Sequence, residues 1–156
     1  MGRISMFELR PALPSDLAEL AELEALCFDK PWRPSQLASL TASYPPDGIV
    51  EEFALVLTEN QKIIAYIGWQ RVFGDADLLS VAVHPDKRRQ GLARKLFLAS
   101  EPRLKKAGVR QFHLEVSENN TAAKALYEQL GFEDYGERKD YYGAGEAARL
   151  MRRVLE

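Results

Sequence analysis

The sequence predicts a single α/β domain over residues 1–156, and three observations carry that prediction. Apolar residues recur near the helical period in three stretches: Leu17, Leu20, Leu23 and Leu26; Leu92, Leu96, Ala99 and Leu104; Ala123, Leu126, Tyr127 and Leu130. Between the first two lie strand-like runs whose connections are short, the mark of an antiparallel meander. Residues 111–116 alternate, with Phe112, Leu114 and Val116 on one face and Gln111, His113 and Glu115 on the other.

Residues 7–9 form a short apolar strand, ended by Arg10-Pro11. Pro14-Ser15-Asp16 starts the first helix, with Ser15 or Asp16 as its N-cap. Asp29-Lys30-Pro31-Trp32-Arg33-Pro34 breaks that helix, Ser35 begins a short second one reaching about Ala42, and Tyr44-Pro45-Pro46-Asp47-Gly48 is a loop. Strands over 52–57 and 62–73 flank the turn Glu59-Asn60-Gln61, and Gly74-Asp75 turns into a strand over 78–83. A helix runs from Gly91 to about Lys106, where Pro102 predicts a kink or an early break and Gly108 marks the end. After 111–116, Asn119 or Asn120 caps a last helix that Gly131 closes from the C′ position. Strands over 132–142 and 147–154 surround Gly143-Ala144-Gly145, and no repeat or linker divides the chain.

Composition narrows the function. A net charge of −2 gives no global support to nucleic-acid binding, although a local basic site remains open. No apolar run reaches membrane-spanning length, and Met1-Gly2-Arg3-Ile4-Ser5-Met6 has neither a signal-peptide core nor a myristoylation pattern. The expectation is a cytoplasmic protein with no membrane partner. The single cysteine, Cys27, rules out an intrachain disulfide framework, and Cys27, His84 and His113 lack metal-ligand spacing, so no metal is expected.

The chemistry centres on Val81-Ala82-Val83-His84-Pro85 followed by Arg88-Arg89-Gln90-Gly91-Leu92-Ala93. This reads as a buried strand entering a basic, glycine-punctuated turn that opens a helix. Such a turn aims free N–H groups and the positive end of the helix dipole at one spot, and arginines beside those amides suit a phosphate. No Gly-Lys-Ser/Thr follows, which excludes a P-loop, and with Gly91 as its one glycine the turn is no dinucleotide fingerprint.

Arg88-x-x-Gly91-x-Ala93 after Val-Ala-Val-x-Pro resembles the acetyl-CoA pyrophosphate loop of the GNAT N-acetyltransferase superfamily. Leu114-Glu115-Val116-x-x-x-Asn120 and Ala125-Leu126-Tyr127-Glu128-x-x-Gly131-Phe132 resemble the strand and helix that follow that loop, so the likeness covers about the last half of the chain. Arg138-Lys139-Asp140-Tyr141-Tyr142, Glu146 and the segment Cys27-Phe28-Asp29-Lys30-Pro31-Trp32 are similar to the RimI-type branch, which acetylates the N-terminal alanine of a small-subunit ribosomal protein. Ala93 departs from the commoner second glycine, and Pro102 is unusual in the helix after the loop.

The resemblance implies a GNAT fold: a mixed, mostly antiparallel sheet of six to seven strands, flanked by about four helices and splayed where cofactor and acceptor meet. It implies acetyl-CoA as co-substrate and direct transfer to a primary amine, with a protein or peptide N-terminus as partner. Val81, Ala82 and Val83 would line the pantetheine arm. Arg88, Arg89, Gln90, Gly91, Leu92, Ala93 and Arg94 would surround the pyrophosphate, and Asn120 would hold the cofactor near the splay. Glu115 would be the general base and Tyr127 the acid facing the departing thiolate, with Trp32, Tyr141 and Tyr142 along the acceptor groove.

The chemistry of these groups agrees with the roles. An α-amino group has a pKa of roughly 7.7–8.0 against about 10.4 for lysine, so a carboxylate acting directly or through water suffices for an N-terminal acceptor. A tyrosine near its ordinary pKa of about 10 would protonate a thiolate of about 8.5 with a deficit of roughly 2 kcal/mol; hydrogen bonding with late transfer, or a lowered pKa, would meet it. Acetylation of a lysine or a small amine such as a polyamine stays open, with Asp29, Glu51, Glu52 and Glu133 as candidate acidic contacts, as does a non-catalytic acyl-CoA-binding regulator.

Overall fold

Seven strands form one sheet among the residues that the computed structural model describes, which are 5–41, 50–143 and 146–155. The side chains of residues 139–143 and of Glu146 lie outside that description, as do the expected loop over 44–48 and the turn residues Ala144 and Gly145. The strands are β1 (Phe7–Pro11), β2 (Val50–Glu59), β3 (Lys62–Val72), β4 (Asp75–Val83), β5 (Gln111–Ser117), β6 (Glu133–Gly143) and β7 (Glu146–Val154). They lie in the order β1-β2-β3-β4-β5-β7-β6, every pair antiparallel except β4–β5. The described helices are α1 (Leu17–Cys27), α2 (Pro34–Thr41), α3 (Leu92–Lys106) and α4 (Thr121–Gln129). Short 3₁₀ turns at Pro14–Asp16 and Pro85–Lys87 precede α1 and α3.

Alternation along the strands builds two cores, one on each face of the sheet. In β2, Phe53, Leu55 and Leu57 face α3 and α4, whereas Ala54 and Val56 face α1 and α2. The first core is aromatic: Trp69, Phe97 and Phe112 meet pairwise with ring centroids 5.5–5.7 Å apart, tilted or edge-on as ring quadrupoles prefer. The second packs Leu20, Leu23, Leu37 and Leu40 against Val56, Ile63 and Tyr66.

The sheet opens at its one parallel seam. β4 meets β5 at Asp75↔Gln111, Ala76↔Phe112 and Asp77↔His113, and the pairing ends there. Beyond it, β4 stays with β3 as far as Val83 and β5 stays with β7 as far as Ser117. Trp69 pairs with Leu78 and Gly68 with Ser80, which leaves Leu79 as an extra residue in β4. A bulge of this kind bends and twists its strand, here just where the two strands part.

Four sequence expectations are corrected. β4 begins at Asp75 rather than at residue 78: Asp75, expected in a turn, is a strand residue, and with Asp77 it alternates with the buried Ala76. The buried residues of α1 are Leu20, Leu23 and Glu24, with Cys27 half-buried on the same face, while Leu26 is exposed; a spacing of three drifts around a helix of 3.6 residues per turn until it reaches the far side. Asp16 does not cap α1, since its carboxylate turns back to accept from the Leu13 amide at 2.7 Å and from Arg10. α3 runs through Pro102 to Lys106; the carbonyl that loses its partner belongs to the exposed Leu98, where water can take its place. No described helix is long and apolar enough to cross a membrane.

The Arg10 guanidinium, at 2.7 and 3.0 Å from the two Asp16 oxygens, holds that buried carboxyl below the usual aspartate range. This contribution to stability is complete above the unfolded aspartate pKa and is lost as pH falls through the folded value. Asp16→Asn is expected to lower stability at neutral pH by about 1.5–3 kcal/mol in urea titrations. The gap to the unaltered chain should close in acid; a gap constant with pH would show that the ion pair is not its source.

Candidate active site

Where β4 and β5 separate, two cavities lie side by side. One, of about 480 Å³, is lined by Ser80, Val81, Val116, Asn120 and Tyr127, among others. The second, of about 660 Å³, is lined by Asp75, Asp77, His113, Tyr135 and Arg138, among others. Trp32, Leu78, Leu79 and Glu115 border both, so Glu115 stands at their junction.

Each side chain is placed by identifiable local physics. Glu115 sits on the open face of β5, opposite the face that sends Phe112, Leu114 and Val116 into the core. Its Oε1 lies 3.2 Å from Nη1 of Arg138 on β6. Tyr127 is fixed at the end of α4 by a Schellman motif. The Phe132 amide donates to the Tyr127 carbonyl at 3.0 Å and the Gly131 amide to the Glu128 carbonyl at 3.0 Å, with Gly131 at φ +93°. The apolar contact that accompanies the motif is also present, the Tyr127 and Phe132 rings meeting 5.9 Å apart, edge to face. Asn120 accepts from the Ala123 amide at 3.1 Å and so caps α4, and its residue also lines the smaller cavity.

After β4 the chain enters the glycine turn that opens α3. Gly91 precedes α3 at φ +73° and no side chain caps that helix, so the first amides of α3 have no intrahelical or capping partner. A Cβ on Gly91 would meet nothing within 4 Å, so glycine is required there by the positive φ and not by crowding. Arg89, Gln90, Gly91 and Arg94 are exposed around this turn, and Ala93 is half-buried. The donors on this loop and its arginines fit a pyrophosphate.

The backbone of β4 supplies the edge between turn and cavity. The His84 amide donates to the Ile64 carbonyl at 2.8 Å, and in an antiparallel ladder that phase directs the N–H and C=O of Val81 and Val83 away from β3, toward the edge that β5 has left. Ala82 falls in the opposite phase with its side chain buried, and Leu92 is buried in the aromatic core, so both serve this region as framework. Arg88 turns its Nε to the Val83 carbonyl at 3.3 Å, and the Cys27 thiol reaches the same oxygen at 3.3 Å.

A model of the acetyltransferase (GNAT) family matches residues 17–132. The chain belongs to this family. Among characterised relatives, it is similar to the [ribosomal protein bS18]-alanine N-acetyltransferase of Escherichia coli K12, 45% identical over 86 residues; the match spans 55% of this chain and 58% of that protein. It is 31% identical over 134 residues to the protein of the same name from Haemophilus ducreyi, covering 86% of this chain and 88% of that one. Among solved structures, the crystal structure of the ribosomal-protein-S18-alanine N-acetyltransferase from E. coli superposes with a TM-score of 0.85 at 32% identity, covering 97% of this chain and 95% of that one.

The fold of this GNAT chain thus brings Glu115, Tyr127, Asn120, Val81 and Trp32 around the two adjoining cavities, with the Gly91 turn beyond them. The side chains of Tyr141 and Tyr142 lie outside the described residues; their backbone belongs to β6. Of the expected acidic contacts, Asp29 lines the smaller cavity, whereas Glu51 pairs with Arg71 and Arg103, Glu52 accepts from Gln70, and Glu133 is exposed. Asp75 and Asp77, which the sequence did not single out, line the larger cavity, with His113 Nε2 2.9 Å from Asp75. Burial, reinforced by the Asp75 and Glu115 charges, holds Asp77 above the usual aspartate range. Their period-2 spacing before a known strand was the available signal. Glu24, fully buried beside the smaller cavity, gave none, because it sits among several glutamates of α1.

Gly131→Ala forces a side chain into the left-handed region and places its Cβ 3.4 Å from Cδ of Arg153. The expected cost is about 1–2 kcal/mol, read from the urea midpoint. Unchanged stability would mean that the motif holding Tyr127 has more slack than its hydrogen bonds imply.

Proposed function

We propose that this chain transfers the acetyl group of acetyl-CoA to the α-amino group of a protein N-terminus, of the alanine type found in a ribosomal protein. The position of Glu115 at the junction of the two cavities carries this reading, because one carboxylate there can serve an amine arriving from one side and a thioester arriving from the other. The likeness to relatives named for alanine acetylation of ribosomal protein bS18 supports the choice of acceptor.

In this reading the first α3 amides, with Arg89 and Arg94, hold the pyrophosphate, and the outward N–H and C=O groups of β4 align the pantetheine arm. The acceptor enters the larger cavity as an ammonium, drawn by Asp75, Asp77 and Glu115. Arg138 occupies the ammonium's place in the resting site. Its side chain is 57% exposed, and an ion pair so open to water is worth about 0–1 kcal/mol, so an incoming cation can displace it. Glu115 takes a proton from the ammonium, directly or through water. The neutral nitrogen then attacks the acetyl carbon, the C–N bond forms and the C–S bond breaks. Tyr127 donates to the sulfur as it leaves, and the second amine proton passes to solvent as the amide forms.

Release of CoA should therefore be confined to peptides with a free N-terminus and be fastest with a small first residue such as alanine. Turnover only on an N-blocked lysine peptide or on spermidine would replace the acceptor, and binding without turnover on any amine would favour an acyl-CoA-binding regulator.

Glu115→Gln is expected to keep acetyl-CoA affinity while cutting turnover about 10²–10⁴-fold. The loss should be largest at low pH, where more acceptor is protonated, and should shrink as pH rises past the amine's own pKa near 8. Tyr127→Phe should also lower turnover, and unchanged turnover would remove it from the mechanism. Gly91→Glu, which adds strain and a negative charge at the turn, should abolish acetyl-CoA binding in calorimetry; intact binding would overturn the pyrophosphate assignment.

A further inference from the structure

Glu24 is fully buried in α1, and its carboxylate is shared by donors from three other parts of the chain. Oε1 accepts from the Trp32 amide at 3.0 Å. Oε2 accepts from the Tyr66 hydroxyl of β3 at 2.9 Å and from the Ser80 hydroxyl of β4 at 3.1 Å. Burial, with the Glu24 charge beside it, pushes the Tyr66 hydroxyl well above the usual tyrosine range, which keeps it a donor at any working pH. A buried carboxylate is tolerated when its oxygens are satisfied in this way.

These partners define the junction itself. Trp32 borders both cavities, and Ser80 follows the bulged Leu79, which borders both as well. One carboxylate thus ties the loop on one wall of the passage to the bent strand on the other. We propose that Glu24 is a positioning residue that, by joining the Trp32 amide to the Ser80 and Tyr66 hydroxyls, sets the width of the passage in which the acceptor amine meets the thioester. This rests on the acetyl-transfer reading and adds to it a residue that acts through Trp32 and Ser80.

The donor chemistry makes the test selective. A glutamine at position 24 can turn its oxygen to the Trp32 amide, which can only donate, and its NH₂ to the two hydroxyls, which can accept. Glu24→Gln should therefore keep the passage, while Glu24→Leu should lose it. With Glu24→Leu, the acceptor KM is expected to rise about tenfold or more while acetyl-CoA affinity stays unchanged. Acrylamide quenching of tryptophan fluorescence should rise too; Trp69, the other tryptophan, is fully buried, so quenching reports on the half-buried Trp32.

Wild-type KM and quenching in Glu24→Leu would overturn the proposal, as would a Glu24→Gln variant that behaves like Glu24→Leu, or a loss of acetyl-CoA affinity in step with the rise in KM. If Glu24→Leu does not fold, Ser80→Ala, which cuts only the tie to β4, carries the test by the same split between acceptor KM and acetyl-CoA affinity, and an unchanged acceptor KM counts against the proposal. Absence of transfer to any amine by the unaltered chain would defeat the acetyl-transfer reading, yet quenching and acetyl-CoA binding would still decide whether Glu24 holds Trp32.

Discussion

The site depends on one constraint, the early end of the only parallel pairing in the described sheet. A sheet that kept β4 and β5 together would satisfy more backbone groups within the protein and leave no opening. Here β4 keeps β3 and β5 keeps β7, so each departing strand stays anchored on its outer side while its inner edge is released. The released edge of β4 presents backbone groups that no neighbouring strand pairs, only side chains such as Arg88 and Cys27 reaching the Val83 carbonyl, which is a reason for an extended, amide-rich ligand to lie there. The bulge at Leu79 falls at the point of release, where such an irregularity bends its strand, and the aromatic core packs against one face of the sheet.

The same interactions that stabilise the fold position the groups to which the proposed mechanism gives a role. Tyr127 belongs to the apolar face of α4, packs against Phe132, and has its own carbonyl bound by the turn that ends the helix, so its ring is positioned by core packing and its hydroxyl by what the ring cannot do. Glu115 is held by the alternation of β5, whose inward residues belong to the core. Glu24 would unite the two roles most closely, since its buried carboxylate accepts from the Trp32 amide and from the Tyr66 and Ser80 hydroxyls, two of which belong to residues lining the smaller cavity. Residues of this kind couple stability to geometry, and their removal is expected to cost both.

Much of this was legible in the chain, for reasons that particular residues make plain. The meander, the helices and the Gly131 stop rest on local periodicity and on a positive φ, which leave direct traces in sequence. The sheet order, the parting of β4 from β5 and the bulge depend on which distant strands pair, and the sequence around Leu79 shows nothing of it. Asp75 reads as part of a turn because a polar residue after a glycine looks like one until the burial of Ala76 beside it is known. Glu24 was invisible for the opposite reason: it occupies a core position of α1 in a run of glutamates, and only Tyr66, Ser80 and the Trp32 amide, all far from it or beyond the helix, distinguish it from its neighbours.

The distribution of charge around the opening completes the physical picture. The chain as a whole carries only −2, yet Arg88, Arg89 and Arg94 collect at the turn before and within α3, while Asp75, Asp77 and Glu115 border the larger cavity. A near-neutral total thus conceals a basic end and an acidic end, separated by the passage at Trp32 and Leu79. On the proposed function, a polyanionic cofactor would be attracted to one end and a cationic amine to the other, so the two reactants would approach the junction from opposite sides without competing for it. On the proposed mechanism, charge recognition would end where the chemistry begins: at Glu115 the amine would give up the proton that brought it there, and the attraction that guided the ammonium would no longer hold the neutral nucleophile back from the thioester.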